Sequence, residues 1–262
     1  MEPVKSSQRL STVDNAISLL SMFLKYDSLG LADMEREMGI SKTAAFRLAA
    51  TLSDRGFLVK DIKTKRYNPG PILFQLIRKF QLNDIVAISQ PFIQKLADET
   101  KESVYLSIRS GHRFTFISGI DSTFHVKVTI GIGNETDLYM GAAGKVHLAH
   151  MSPSAIKKYI QQTNFKRYTP NTISDPQLLM AELSRVRENG YAVSVGEWDP
   201  DSAGIAAPVW GIGEEPAATV GIYLPLSRLD NTRKQHLIEL TAACGKKISE
   251  EYQAKQHTIH QE

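Results

Sequence analysis

Through the first quarter of the chain apolar residues recur at helical spacing; after it the period changes. From about Val13 to Tyr26, the residues Ile17, Leu20, Phe23 and Leu24 make an apolar stripe, which "DSLG" then breaks. A short second helix follows in "LADMEREMG", with Leu31, Met34 and Met38 inward and Gly39 as its C-terminal stop. "ISK" is a tight turn, and Ser41 is placed to N-cap a third helix running to Arg55. On that helix Ala45, Leu48, Ala49 and Leu52 share one face, and Thr43, Arg47, Ala50 and Asp54 lie opposite. After Gly56 come two short strands, "FLVKD" and "KRYNPG", around the basic loop "IKTK". Three helices and a hairpin, the last two helices joined by a tight turn, predict a winged helix-turn-helix over residues 1–70.

"PGP" at 69–71 reads as a hinge. Beyond it Leu73, Leu76, Ile77 and Phe80 have helical spacing, which predicts a linker helix over 71–87 that packs on a second copy of the chain or on its own domain. Residues 88–262 alternate strands with helices. "SVYLSIRSG", "RFTFISGID" and "HVKVTIGIG" read as three strands, and "YAVSVGE", "AGIAAPVWG" and "PAATVGIYLP" as three more. Helices are predicted from "GAAGKVHLAHM", "PSAIKKYIQQ" and "PQLLMAELSRVRENG". A closing helix spans about Asp230 to Tyr252, with Leu237, Leu240, Thr241, Cys244 and Ile248 inward. The sum is an α+β chain whose second domain is an antiparallel sheet flanked by helices.

Charge sharpens this division. Residues 1–70 hold eleven Lys/Arg against eight Asp/Glu, whereas residues 71–262 hold twenty of each. Within 39–66, Lys42, Arg47, Arg55, Lys60, Lys63, Lys65 and Arg66 face only Asp54 and Asp61. A basic helix and hairpin make an electrostatic footprint for a polyanion, although a small positive patch also serves solubility. Cys244 is the sole cysteine, which excludes an internal disulfide and a multi-cysteine zinc site; it reads as a small buried hydrophobe. No apolar run approaches the roughly eighteen residues that span a bilayer, and the N-terminus lacks a secretory apolar region. A cytoplasmic protein is the expectation.

Candidate chemistry in the second domain is sparse. "GIGNE" begins like a dinucleotide fingerprint, but Thr136 stands at the third glycine and the stretch reads as a β-turn. His147 and His150 in "HLAH" are half a metal site without a third ligand. "GEWDPDS" clusters Glu197, Asp199 and Asp201 in what reads as an exposed loop. No nucleophile, base and orienter assemble, and neither a metal nor a cofactor is expected. "MGAAGK" differs: small residues at a helix start leave backbone N–H groups free for an anion, or else serve tight helix–strand packing.

In order and spacing, the chain resembles the IclR family of transcriptional regulators over nearly its full length. "TAAFRLAATLSDRGFL" is similar to that family's recognition helix and "RYNPGPILFQL" to its wing-to-linker passage. "LYMGAAGKVHLA", "RENGYAVSVGE", "GIAAPVW" and "TVGIYLP" resemble its GAF-like effector domain. The resemblance implies a cytoplasmic homodimer or tetramer that represses or activates a catabolic operon in response to a small metabolite. It places backbone amides for an acidic ligand at Ala142 and Ala143, and further effector positions at Ser194, Gly204, Gly221 and Tyr223. Some members carry Asp, Cys and a pair of serines at the last four, which argues here for a roomier carboxylate pocket than one for glyoxylate. Tyr223 would lend it a hydroxyl or a stacking face. Leu138–Tyr139 replaces the more usual Leu-His and bears on the lid of the pocket.

On DNA, the helix would enter a major groove with Ser41, Lys42, Thr43 and Arg47 nearest the bases. Arg47 would grip a guanine edge or a phosphate, and Phe46 would touch a thymine methyl or pack on the first helix. Arg9, Arg55, Lys63, Lys65 and Arg66 would hold the phosphate backbone. Two other classes remain open on the residues alone: an enzyme acting on a small carboxylate with an N-terminal interaction module, and a winged-helix scaffold for proteins.

Overall fold

The computed structural model describes residues 10–79 and 82–259; Arg9 lies outside the described residues. The chain divides into two compact units, Met1–Asn83 and Asp84–Glu262.

In the first unit, helices α1 (Ser11–Met22), α2 (Leu31–Met38) and α3 (Lys42–Asp54) precede a hairpin of β1 (Leu58–Lys60) and β2 (Tyr67–Pro69) and then α4 (Pro71–Lys79). Local chemistry sets these boundaries. Asp33 accepts from the Gly30 N–H at 3.0 Å at the start of α2, and Gly39 closes that helix in the left-handed conformation. Ser41 caps α3 by accepting from the Ala44 N–H at 3.3 Å, in its predicted role. Leu19, Leu29, Met34, Ala45, Ala49, Leu58 and Tyr67 form the core. One prediction changes here. In the stripe assigned to the first helix, Leu20 and Phe23 pack on the core, but Ile17 and Leu24 are exposed and Leu19 is the buried residue. The helix stops at Met22, so Leu24 falls past its end.

The second unit is a six-stranded, wholly antiparallel sheet in the order β5-β4-β3-β8-β7-β6. Its strands are β3 (Ser103–Ser110), β4 (Arg113–Ile120), β5 (Glu135–Asp137), β6 (Ala192–Val195), β7 (Ser202–Trp210) and β8 (Pro216–Pro225). Helix α5 (Leu82–Thr100) leads in; α6 (Gly141–Ala149), α7 (Pro153–Gln162) and α8 (Pro176–Asn189) follow β5, and α9 (Asn231–Ile259) closes the chain. Successive residues of β7 serve opposite faces. Ala206 packs in the core with α6, whereas Ala207 lies against Gly245 of α9. Burial on both faces explains the unbroken apolar run "AGIAAPVW".

Three elements differ from the sequence reading. Helix α5 runs continuously across residue 87 to Thr100, burying Ile85, Ser89, Ile93 and Leu96 at helical spacing despite Pro91. The closing helix extends to Ile259, beyond Tyr252. The strand predicted for "HVKVTIGIG" does not form. Its place beside β4 is taken by the three residues of β5, and residues 121–134 become an irregular segment. Within it "GIGN" is the expected turn, closed by the Asn134 N–H on the Gly131 carbonyl at 3.1 Å.

Candidate functional site

On α3 the buried face leaves Lys42, Thr43, Phe46, Arg47, Asp54 and the following Arg55 exposed. Phe46 is 50% exposed, so of its two expected roles packing on α1 is the weaker. Thr51 is spoken for within the helix, its hydroxyl donating to the Arg47 carbonyl at 2.8 Å. Among the described residues Lys42, Arg47, Arg55, Lys63 and Lys65 have no acidic side chain in ion-pair range. Arg66 behaves otherwise. Its guanidinium donates to the Ser28 hydroxyl, the Ser28 carbonyl and Asp33, each at 2.8 Å. It is thus a clamp between the hairpin and the start of α2 and not the free phosphate ligand expected of it. The Gly30 N–H and then Arg66 hold the Asp33 carboxyl below its usual range.

In the second unit a cavity of ≈ 700 Å³ opens between the start of α6, the 121–134 segment and strands β4, β7 and β8. Its floor is aromatic. Phe116 meets Phe114 edge-on at 5.2 Å and Tyr223 at 5.7 Å, and Tyr105 meets Tyr223 at 5.7 Å. The register pairs Gly204 with Tyr223 and Ala206 with Gly221. A Cβ on Gly204 would sit 3.2 Å from the Tyr223 ring, and one on Gly221 would sit 3.0 Å from its hydroxyl. The two glycines therefore make room for Tyr223 to lie across the sheet, where it faces the cavity. Burial raises its phenol well above the usual value, and no hydrogen bond to that hydroxyl forms among the described residues.

Of the residues expected to bind the effector, Ala142, Ser194, Gly204 and Tyr223 line this cavity. Gly221 lies beneath Tyr223. Ala143 is not among the lining residues; it is packed in the core behind α6, and Gly144 abuts the Leu138 backbone, so that part of "MGAAGK" serves close packing. The first turn of α6 has no side-chain cap, and Gly141 and Ala142 at its start line the cavity. Tyr139 has no part in a lid: it is buried, and its hydroxyl donates to the Lys166 carbonyl at 2.9 Å.

Sequence reasoning missed the outer wall. Val126, Lys127, Val128, Thr129 and Ile130 form it, and Trp198, Asp199 and Asp201 stand opposite. The wall is pinned from below by Tyr105. The Tyr105 hydroxyl donates to Asp121 and accepts from the Ile130 N–H at 2.9 Å, while Lys127 pairs with Asp121 at 3.2 Å. Burial and then Asp121 push the Tyr105 phenol up to about 12. "GEWDPDS" is likewise more than an exposed loop. Glu197 is buried and bonded to the Lys145 ammonium at 2.6 Å, and Lys145 also holds Glu182 at 3.0 Å and the Val193 carbonyl at 2.8 Å. This ion pair ties α6 to the strand and loop that carry Ser194 and Trp198.

The histidines are committed to packing. His147 is buried near Phe114, its imidazole pushed down to about 3 by burial, while His150 bonds the Val146 carbonyl and meets Trp210 edge-on. Among the described residues no group of three His, Cys, Asp or Glu could hold a metal ion.

A basic winged helix-turn-helix followed along the chain by a sheet domain with a cavity is the architecture of a transcriptional regulator. The comparisons give its kin. The family described as bacterial transcriptional regulator IclR C-terminal matches residues 78–250, and the IclR helix-turn-helix domain matches residues 12–61. The chain belongs to the IclR family. It is 30% identical over 239 residues to the HTH-type transcriptional regulator KipR of Bacillus subtilis, covering 91% of this chain and 95% of that one. The crystal structure of an IclR transcriptional regulator from Alicyclobacillus acidocaldarius superposes with TM-score 0.76 at 26% identity, covering 92% and 98% of the two chains. An IclR homologue from Microbacterium hydrocarbonoxydans, solved with 4-hydroxybenzoate, shares the fold with TM-score 0.81 at 18% identity, covering 93% and 99%.

Proposed function

We propose that this regulator binds its operator as a homodimer or tetramer, and that a small organic acid seated in the cavity of the second unit modulates that binding. The observation that carries the reading is the uncapped start of α6 opening into an aromatic cavity. Helix N-terminal amides and the helix dipole favour an anion there. The charged lining is otherwise Lys127, already paired with Asp121, against Glu135, Asp199 and Asp201. The aromatic floor of Phe114, Phe116 and Tyr223 suits an apolar or aromatic body on that acid, with its charge held at the helix start and away from the lining carboxylates. Hydroxyls on the body would meet Ser194 and Tyr223. The Microbacterium homologue was solved with such an acid, 4-hydroxybenzoate.

Self-association is supported by Val13 and Ile17 of α1 and by Leu10 just before it, all exposed. A two-fold pair would set recognition helices on half-sites about 34 Å apart, or a multiple of that. Action on an operator, in a catabolic operon by the family's habit, fits a protein of the cytoplasm.

A thermal-shift screen of aliphatic and aromatic carboxylic acids tests the pocket. An acid present at about a hundred times its Kd should stabilise the protein by about 2.7 kcal/mol. Val128→Trp, which fills the cavity from its wall, should abolish the shift and leave the unliganded melting temperature little changed. Tyr223→Phe should weaken an acid that carries a hydroxyl by about tenfold through the lost hydrogen bond, and should leave the fold intact because the Tyr223 hydroxyl has no protein partner to strand. An undiminished shift in Val128→Trp would place the ligand elsewhere.

A further inference from the structure

We propose that the tip of the β1–β2 hairpin enters the minor groove of the operator, and that Ile62 there makes the protein prefer A·T to G·C pairs. The inference rests on the DNA-binding role and adds a second point of sequence discrimination, outside the bases facing α3.

The tip is a rigid device. Asp61 accepts from the N–H groups of Lys63 and Thr64 at 2.7 and 2.9 Å, and its own carbonyl accepts from Lys65 at 2.9 Å. Lys65 is held in the left-handed conformation at φ 57. The base of the hairpin is bolted down twice. Leu29 and Tyr67 exchange backbone hydrogen bonds at 2.9 and 2.8 Å, and Arg66 clamps Ser28 and Asp33. A turn so thoroughly tied does not need an apolar residue at its crest, yet Ile62 stands there 83% exposed. Val59, on the same hairpin, is half exposed as well. Lys63 and Lys65 follow Ile62 in the same turn, exposed and without an acidic partner among the described residues.

An alkyl crest beside two free ammonium groups is complementary to one surface of DNA. The minor groove has walls of deoxyribose and phosphate, and above A·T pairs its floor offers only acceptors. It is narrowest and most negative along A·T runs, which draws lysines to its edges. Apolar side chains are used against its floor by architectural proteins. A G·C pair raises the guanine 2-amino group into the groove, where it meets Ile62, loses water and gains no acceptor. Lys63 and Lys65 hold nearby phosphates and carry no base preference.

The test uses the full-length protein and a duplex that it selects from a random pool. Cys244 is the sole natural cysteine and is buried, so Ile62→Cys carrying an iron–EDTA tether cleaves the DNA at the hairpin's position. A·T pairs at that position are then replaced by G·C or by inosine·C, which matches G·C in the major groove and lacks the 2-amino group in the minor. Wild-type affinity should fall roughly tenfold for G·C and stay unchanged for inosine·C. Ile62→Ala should bind all three duplexes within about twofold of each other. Lys63→Gln or Lys65→Gln should weaken all three equally and lower the salt slope by about one. Inosine·C behaving like G·C, an unchanged preference in Ile62→Ala, or no local cleavage would overturn the inference while leaving DNA binding by α3 intact. Failure to select any duplex would overturn both.

Discussion

Lys145→Met is expected to destabilise the second unit by about 3–5 kcal/mol near neutral pH. The Lys145 side chain is only 1% exposed and its ammonium makes three hydrogen bonds, two of them to carboxylates. The Glu197 side chain is 8% exposed, and one of its carboxylate oxygens has no partner of its own. Removing the cation leaves that carboxylate buried and uncompensated, and the cost of such a charge exceeds the worth of the pair itself. Burial already raises the Glu197 carboxyl above its usual value, and Lys145 opposes the rise. A carboxyl raised in the folded state takes up a proton on folding. Its ionised form therefore costs stability above the folded pKa, and the cost is relieved as pH falls through it. Without Lys145 the folded value climbs further, so the variant's deficit should be large at about pH 8 and shrink toward pH 5. Urea denaturation of both proteins across that range checks the sign. Adding Glu197→Gln should recover much of the lost stability at neutral pH, and a double variant as unstable as Lys145→Met would assign the loss to packing instead.

Arg47→Ala is expected to weaken binding to the selected duplex by about ten- to a hundredfold, with no loss of stability. Arg47 is exposed on the outer face of α3 and carries no ion pair that its removal would break. Fluorescence anisotropy on the selected duplex and on a scrambled one separates its two possible roles. A loss confined to the selected duplex assigns Arg47 to a base edge. An equal loss on both, with a shallower salt slope, assigns it to a phosphate.

The first unit was legible in the sequence because its signals are local. A 3.6-residue period gives way to hairpin chemistry at Gly56, and a serine cap and a glycine stop mark α3 and α2. What was missed depends on distant partners or on competing local signals. Pro91 reads as a breaker and Ser89 interrupts the apolar stripe, so the second half of α5 was hidden, although Ile85, Ser89, Ile93 and Leu96 are buried at helical spacing. Residues 126–132 alternate as a strand would, with Val126, Val128, Ile130 and Ile132. Nothing local says that the sheet edge is already occupied or that Tyr105, some 25 residues earlier, will hold Ile130. The same holds for Glu197 and Lys145, 52 residues apart, and for Arg66, whose sequence neighbourhood suggests a free cation and whose partners Ser28 and Asp33 are more than thirty residues away. Ala142 was marked by the small residues at a helix start, and Ser194, Gly204 and Tyr223 were reached through the family resemblance. The small residues at 204 and 221 acquired a reason only when the register set them beside Tyr223.

The most direct test is the Kd of the full-length protein for its selected duplex, with and without a saturating amount of the acid that stabilises it. The acid should change that Kd by at least about fivefold, in wild type and not in Val128→Trp. The same Kd in the presence and absence of a bound, stabilising acid would contradict effector control of DNA binding.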